Sequence, residues 1–147
     1  MQQKWKLGEK YTRREIAAAL GGSEISYLPM EGGTVVCGCF TYEDNPQLPD
    51  IILPGTRSDI EAEAAEFRKG YAVPVFAKLA PNEWLHVGNY RVVRWSTDPS
   101  EIERHQVQSG RKRKGRDKIS QVLHLEPVGQ YFDLNTMGTM IGRPAGG

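Results

Sequence analysis

Two cysteines one residue apart, Cys37 and Cys39, and three histidines, His86, His105 and His124, have the widest chemical range in this chain. Paired thiolates could give two ligands to zinc. A structural zinc site is closed by four ligands, usually as two knuckles, and none of the histidines stands at knuckle spacing. The phrase TVVCGCFTY accounts for the pair as small buried residues on one face of a strand. At i and i+2 on a strand they are poorly placed to bridge, so they read as reduced thiols, with no metal and no cofactor expected. A nucleophilic cysteine would need a base and a neighbour that lowers its pKa. His86 or His124 on an adjacent strand could serve, but spacing does not place them. The chain has no G-x-S-x-G elbow, no H-E-x-x-H and no P-loop, so no catalytic set is assigned. Gly55-Thr56-Arg57 after Pro54 has the composition of an anion-binding turn before a helix N-terminus, or of a plain loop with a solvated arginine. Glu61, Glu63 and Glu66 read as surface carboxylates, since Glu61 and Glu66 do not share a helical face.

The sharpest local signal is basic. Arg111, Lys112, Arg113, Lys114 and Arg116, followed by Lys118, form a polar run suited to phosphate contact, where counterion release supplies affinity; the alternative is a solvated loop. From Arg91 to Lys118 the cations also include Arg91, Arg94 and Arg104, against only Asp98, Glu101, Glu103 and Asp117. Acids gather instead in Glu43–Asp50 and Asp59–Glu66, so a net charge of +1 is compatible with a basic face. Candidate nucleic-acid contacts are therefore Arg57, Arg91, Arg111–Lys114, Arg116 and Lys118. Tyr42, Trp84, His86, Tyr90 and Trp95 are candidate stacking surfaces for bases. Alternation divides them: Trp84 and His86 share one face, Tyr90 and Val92 share a face, and Arg91, Val93 and Trp95 take the opposite one. Only a subset can meet a ligand, and the rest must be core.

The elements that would position these residues are legible. Val73–Leu79 and Trp84–Trp95 read as a hairpin across Ala80-Pro81-Asn82. Thr12–Glu15 is a capping box opening a short helix that leans Ile16 and Leu20 on a sheet and stops at Gly21-Gly22. Ser58–Glu61 is a second, opening a helix over Asp59–Lys69 with Ala62, Ala65 and Phe67 packed. Asp98-Pro99 starts a third, ending near Gln108. Thr34–Tyr42 reads as one central strand, Ile51–Leu53 as a brief one and Ile119–Leu125 as the last, with the residues from 126 onward a loosely packed tail. The 147 residues fit a single domain with a core over about 11–125. A charged fraction of 25% beside 39% hydrophobic residues suits a soluble globular chain. No apolar run is long enough to cross a bilayer and no secretory signal is visible, so no membrane partner and a cytoplasmic location are expected. The fold class expected is α+β: a small, curved or barrel-like, mostly antiparallel sheet with about three short helices at its rim.

The phrases YTRREIAAALGG, GGTVVCGCF, PGTRSD, VPVFAKL and WLHVGNYRVV resemble those of PUA/SRA-like β-barrel modules. Such modules occur beside HNH-type restriction nucleases and helicases in prokaryotic defence. The likeness spans about Tyr11–Leu125. It implies a non-enzymatic DNA-binding module that reads a modified base, often a cytosine, flipped into an aromatic pocket. Carried onto this sequence, the pocket would be Tyr27, Phe40, Tyr42, Trp84, His86 and Tyr90, with phosphate contacts at Arg57 and Arg111–Arg116. The partner implied is DNA, with a nuclease or helicase of a restriction system supplying any cleavage. Two rival readings remain: a small enzyme using a cleft near Cys39, His86 and Arg57, and a protein-interaction domain whose basic run meets an acidic partner. Convergence of those three side chains on one concave site would favour the first rival.

Overall fold

The computed structural model of the chain describes residues 5–109, 118–135 and 139–141. In chain order its elements are β1 (Lys10–Tyr11), α1 (Arg13–Leu20), β2 (Met30–Glu31), β3 (Thr34–Val35), β4 (Gly38–Phe40), β5 (Ile51–Ile52), α2 (Ser58–Phe67), β6 (Val73–Ala80), β7 (Glu83–Ser96), α3 (Pro99–Ser109), β8 (Val122–Asp133) and β9 (Thr139–Ile141). Seven strands form one sheet in the order β4-β6-β7-β8-β5, with β1 added to β7 and β9 to β8. All pairings are antiparallel except β4 on β6. β2 and β3 form a separate two-stranded ribbon.

The expected hairpin is the spine of this sheet. β7 pairs with β6 over its first half and with β8 from Gly88 to Ser96. At the handover the register slips twice, between Val75 and Phe76 and between Gly88 and Asn89. Each extra residue increases local twist, and two at one level curl the sheet. Gly88 makes the bend possible: its φ is +133°, and a Cβ there would lie 3.1 Å from the Tyr131 Cβ. Inside the curl lie Phe40, Phe67, Val75, Val87, Tyr90 and Leu123, all essentially inaccessible. A second cluster, Ile16, Cys37, Cys39, Phe76 and Trp84, seats α1.

The first helix follows its capping box. The Glu15 amide donates to the Thr12 hydroxyl and the Thr12 amide to the Glu15 carboxylate, at 3.0 and 2.8 Å. The second departs from its expected box: Arg57 is the N-cap, without a side-chain cap bond, and Ala64 and Phe67 are buried rather than Ala62 and Ala65. Its turn is instead held by Asp59, which accepts from the Arg57 guanidinium.

Two strand expectations need correction. Thr34–Tyr42 is not one central strand, because its backbone donors are spent in two directions. The Val36 amide donates to Pro29 and the Cys39 amide to Tyr27, so the segment breaks at 36–37 and β4 is covered at the sheet border by residues 27–29. In the last strand, residues 126–133 are not loose tail but the second half of β8, opposite Gly88–Arg91, and Leu134 is buried behind them. Pro127 and Gly129 suppress the strand signal in sequence, whereas the 14-residue β7 supplies a ladder long enough to hold them. No helix among the described residues is long and apolar enough to cross a membrane.

Candidate base-binding cleft

A cleft of about 780 Å³ opens where α1, the 23–27 segment, the start of α2 and the β6–β7 turn meet. Cys39, Trp84, Tyr27 and Leu53–Gly55 are among the residues that line it. Arg13, Arg57 and Lys78 face Glu24, Asp44, Asp59 and Glu63 around it.

Arg13 builds this site. It is 7% exposed, and its terminal nitrogen donates to the carbonyls of Ser23 and Ser26 at 2.9 and 2.8 Å, pinning the lip to the helix. The guanidinium lies 5.2 Å from the centre of the Trp84 ring, and Lys78 Nζ approaches the same ring at 5.7 Å. The Arg13 Nε is buried without a hydrogen-bond partner. The Arg13 amide in turn donates to the Asn82 side chain, so the hairpin turn fixes the start of α1. Asn82 itself sits at φ +57°, a conformation asparagine tolerates better than most residues.

The Tyr27 hydroxyl donates to the Ile60 carbonyl at 2.7 Å. Burial, with Glu63 next in importance, pushes that phenol well above its ordinary pKa, so it stays neutral. The Ser26 hydroxyl donates to Glu63 at 2.8 Å. Burial raises the Glu63 carboxyl above the usual carboxylate range, against the opposing pull of the Ser26 bond. The cleft thus offers flat aromatic surface, a buried cation and a carboxyl that takes a proton more readily than one in water.

Of the six aromatic candidates, Tyr27 and Trp84 line the cleft. Phe40 stands behind Tyr27, ring centres 6.5 Å apart, wholly inside the core. Tyr90 is likewise core, and Tyr42, 40% exposed, lies outside the lining. His86 is buried against Phe76, its Nδ1 3.1 Å from the Val75 carbonyl oxygen, and burial lowers its pKa to about 4. Cys39 and Arg57 line the cleft but His86 does not, so the three side chains of the small-enzyme reading do not converge. Among the described residues no group of three or more His, Cys, Asp or Glu could hold a metal.

Of the cationic candidates, Arg57 stands at the rim bound to Asp59, Arg91 is exposed and bound to Glu126 at 2.6 Å, and Lys118 is exposed. Arg111, Lys112, Arg113, Lys114 and Arg116 lie outside the described residues. Sequence reasoning passed over Arg13 and Lys78, took Asn82 only as part of a turn, and read Glu63 as a surface carboxylate, whereas it is half-buried in the cleft lining. Arg13 carried a signal: a cation in the first turn opposes the helix dipole, so it needs a local reason to be there. Glu63 gave none, because its partner Ser26 is 37 residues away.

No family model matches the chain, and no curated protein does. Among solved structures the chain is similar to the SRA domain of SUVH5 in complex with hemi-methylated CG DNA. The TM-score is 0.59 over 91% of this chain and 96% of that one, at 10% identity. At that identity the likeness is one of architecture, and it agrees with three helices around a curled, mostly antiparallel sheet. The chain has an SRA-like α+β fold.

Proposed function

We propose that this protein is a DNA-binding reader that takes a modified base, flipped from the duplex, into the cleft between Tyr27 and Trp84. The observation that carries the reading is the pairing of those two aromatics with a partly buried carboxyl, Glu63, and a buried guanidinium, Arg13, around one opening. A base needs stacking surface and both donor and acceptor groups for its edge, and a flipped base exposes both to inspection. The volume of about 780 Å³ lies within the usual range for small-molecule sites and leaves room for a substituent on the ring. The architectural likeness to a domain that binds hemi-methylated DNA supports the same reading.

In this proposal phosphates are met by Arg57 at the rim and by the basic run Arg111–Arg116 with Lys118, while Arg91 adds charge on β7. A nuclease or helicase partner in a cytoplasmic restriction system would supply any effector activity. The chain itself does no chemistry on DNA.

Fluorescence anisotropy at low salt with plain and cytosine-modified duplexes tests the reading. Tighter binding of a modified duplex is expected, together with a loss of about tenfold or more for Trp84→Ala or Tyr27→Ala, on the scale of one lost base stack. No binding to any duplex at low salt would remove the reading. Equal binding of all duplexes, unaffected by both substitutions, would remove the pocket.

A further inference from the structure

Cys37 and Cys39 lie in an arrangement that a regular strand cannot give. On one face of a strand, side chains at i and i+2 diverge too far to bond. Here the strand breaks at 36–37 and the two sulfurs stand 3.9 Å apart, both buried, with Cys39 lining the cleft. Gly38 lies between them under the Phe40 ring, where a Cβ would come within 2.6 Å of a ring carbon. We propose that Cys37 and Cys39 form a redox-active dithiol that closes to a disulfide when a hydroperoxide enters the cleft.

Three observations support this. The sulfurs need to approach by only about 2 Å to reach bonding distance. The positive charge of Arg13 favours the charged form of both sulfurs, and its Nε is buried without a hydrogen-bond partner. The Cys39 thiol as hydrogen-bond partner, with Arg13 helping, lowers the pKa of Cys37, while burial raises that of Cys39. Loss of one proton from the pair therefore leaves a thiolate shared with the remaining S–H.

The step balances without a further reagent. Cys39, the sulfur of the pair that lines the cleft, attacks one oxygen of hydrogen peroxide while it carries the shared negative charge, breaking the O–O bond and giving a sulfenic acid; the displaced hydroxide takes the proton lost from the pair and leaves as water. The second sulfur then displaces hydroxide from the sulfenic sulfur, forming the S–S bond and releasing a second water with the last thiol proton. Two thiols are oxidised by two electrons and one peroxide is reduced. Transient disulfides of this kind are the form that occurs in reducing compartments. Closure would be felt in the cleft lining, because the Cys39 amide donates to the Tyr27 carbonyl at 2.8 Å.

Intact-mass measurement of the full chain after hydrogen peroxide, with free thiols alkylated under denaturing conditions, decides the matter without DNA. The expected product is about 2 Da lighter, unalkylated at both cysteines, monomeric and restored by dithiothreitol. Cys37→Ser should turn that product into a Cys39 adduct about 16 Da heavier. Unchanged, alkylatable thiols, stable oxygen adducts on either cysteine of the native chain as located by peptide mass, or disulfide-linked dimers would overturn the proposal.

Discussion

His86 gives the structure a measurable acid limit. The ring is 4% exposed, with one nitrogen at the Val75 carbonyl and its face against Phe76 at 5.1 Å between centres. Burial dominates over the carbonyl bond and lowers its pKa from 6.5 to about 4. The folded state therefore binds a proton less readily than the unfolded chain. Above pH 6.5 both are neutral and the group has no effect on stability. As pH falls the unfolded chain takes up the proton first, so stability is lost progressively between about pH 6.5 and 4. At about 1.4 kcal/mol per unit, the loss reaches about 2 kcal/mol by pH 5 and about 3 kcal/mol by pH 4. His86→Asn keeps a donor for Val75 but does not titrate. Urea unfolding of both proteins from pH 7.5 to 4 isolates the effect, since His105 and the carboxyls titrate in each. The variant should be less stable at pH 7.5, from lost packing, and the gap should narrow by about 2 kcal/mol by pH 5. A gap constant within about 0.5 kcal/mol over that range would refute the reasoning.

Arg13→Leu removes two charge-assisted bonds to the lip and relieves one unpartnered nitrogen, a net loss of about 2–3 kcal/mol readable as a lower urea midpoint. Gly88→Ala should cost at least about 2 kcal/mol in the same assay, because φ +133° and the approach of Tyr131 penalise any Cβ. Glu101 accepts from His124 at 2.7 Å, and with that bond as the main cause its pKa falls to about 2. Its contribution should be present above pH 4.5, lost as pH falls toward 2 and absent in Glu101→Gln, as followed by acid unfolding. Neutralising Arg111, Lys112, Arg113 and Lys114 together should flatten the salt dependence of DNA binding by about 0.9 in the log–log slope for each phosphate that the chain no longer neutralises, measured by anisotropy across a salt series.

What was legible in the sequence was local. The capping box at Thr12–Glu15, the Asp98-Pro99 helix start and the hairpin across Asn82 are all read from neighbours within a few residues, and the structure contains each of them. The α+β class followed from their order. The fate of Thr34–Tyr42 was not legible, because it depends on which distant carbonyls claim the Val36 and Cys39 amides. Alternation separated Tyr90 from Arg91, Val93 and Trp95 on β7, but it could not show that Trp84 to Val87 are buried on both faces. The cleft is harder still to foresee. Its lining runs from Arg13 to Trp84, and no periodicity links Ser26 to Glu63 or Arg13 to Asn82.

That composition bears on how the proposed reader would divide its work. Three cations face four carboxylates around the cleft, and Arg57 is already engaged by Asp59. Such an opening has no surplus positive charge with which to draw in a polyanion, so beyond the rim contact at Arg57 most affinity for a duplex must come from cations elsewhere on the chain. The run at 111–118 has the only dense supply in the sequence. Affinity and selectivity would then answer to different substitutions. Changes in the basic run should weaken binding to every duplex alike and reduce its response to salt. Changes at Glu63 or Trp84 should alter the preference between modified and plain DNA while leaving the salt slope intact. A Glu63→Gln protein measured on both duplexes across a salt series separates the two. A changed salt slope at an unchanged preference would mean that the cleft contacts backbone rather than base.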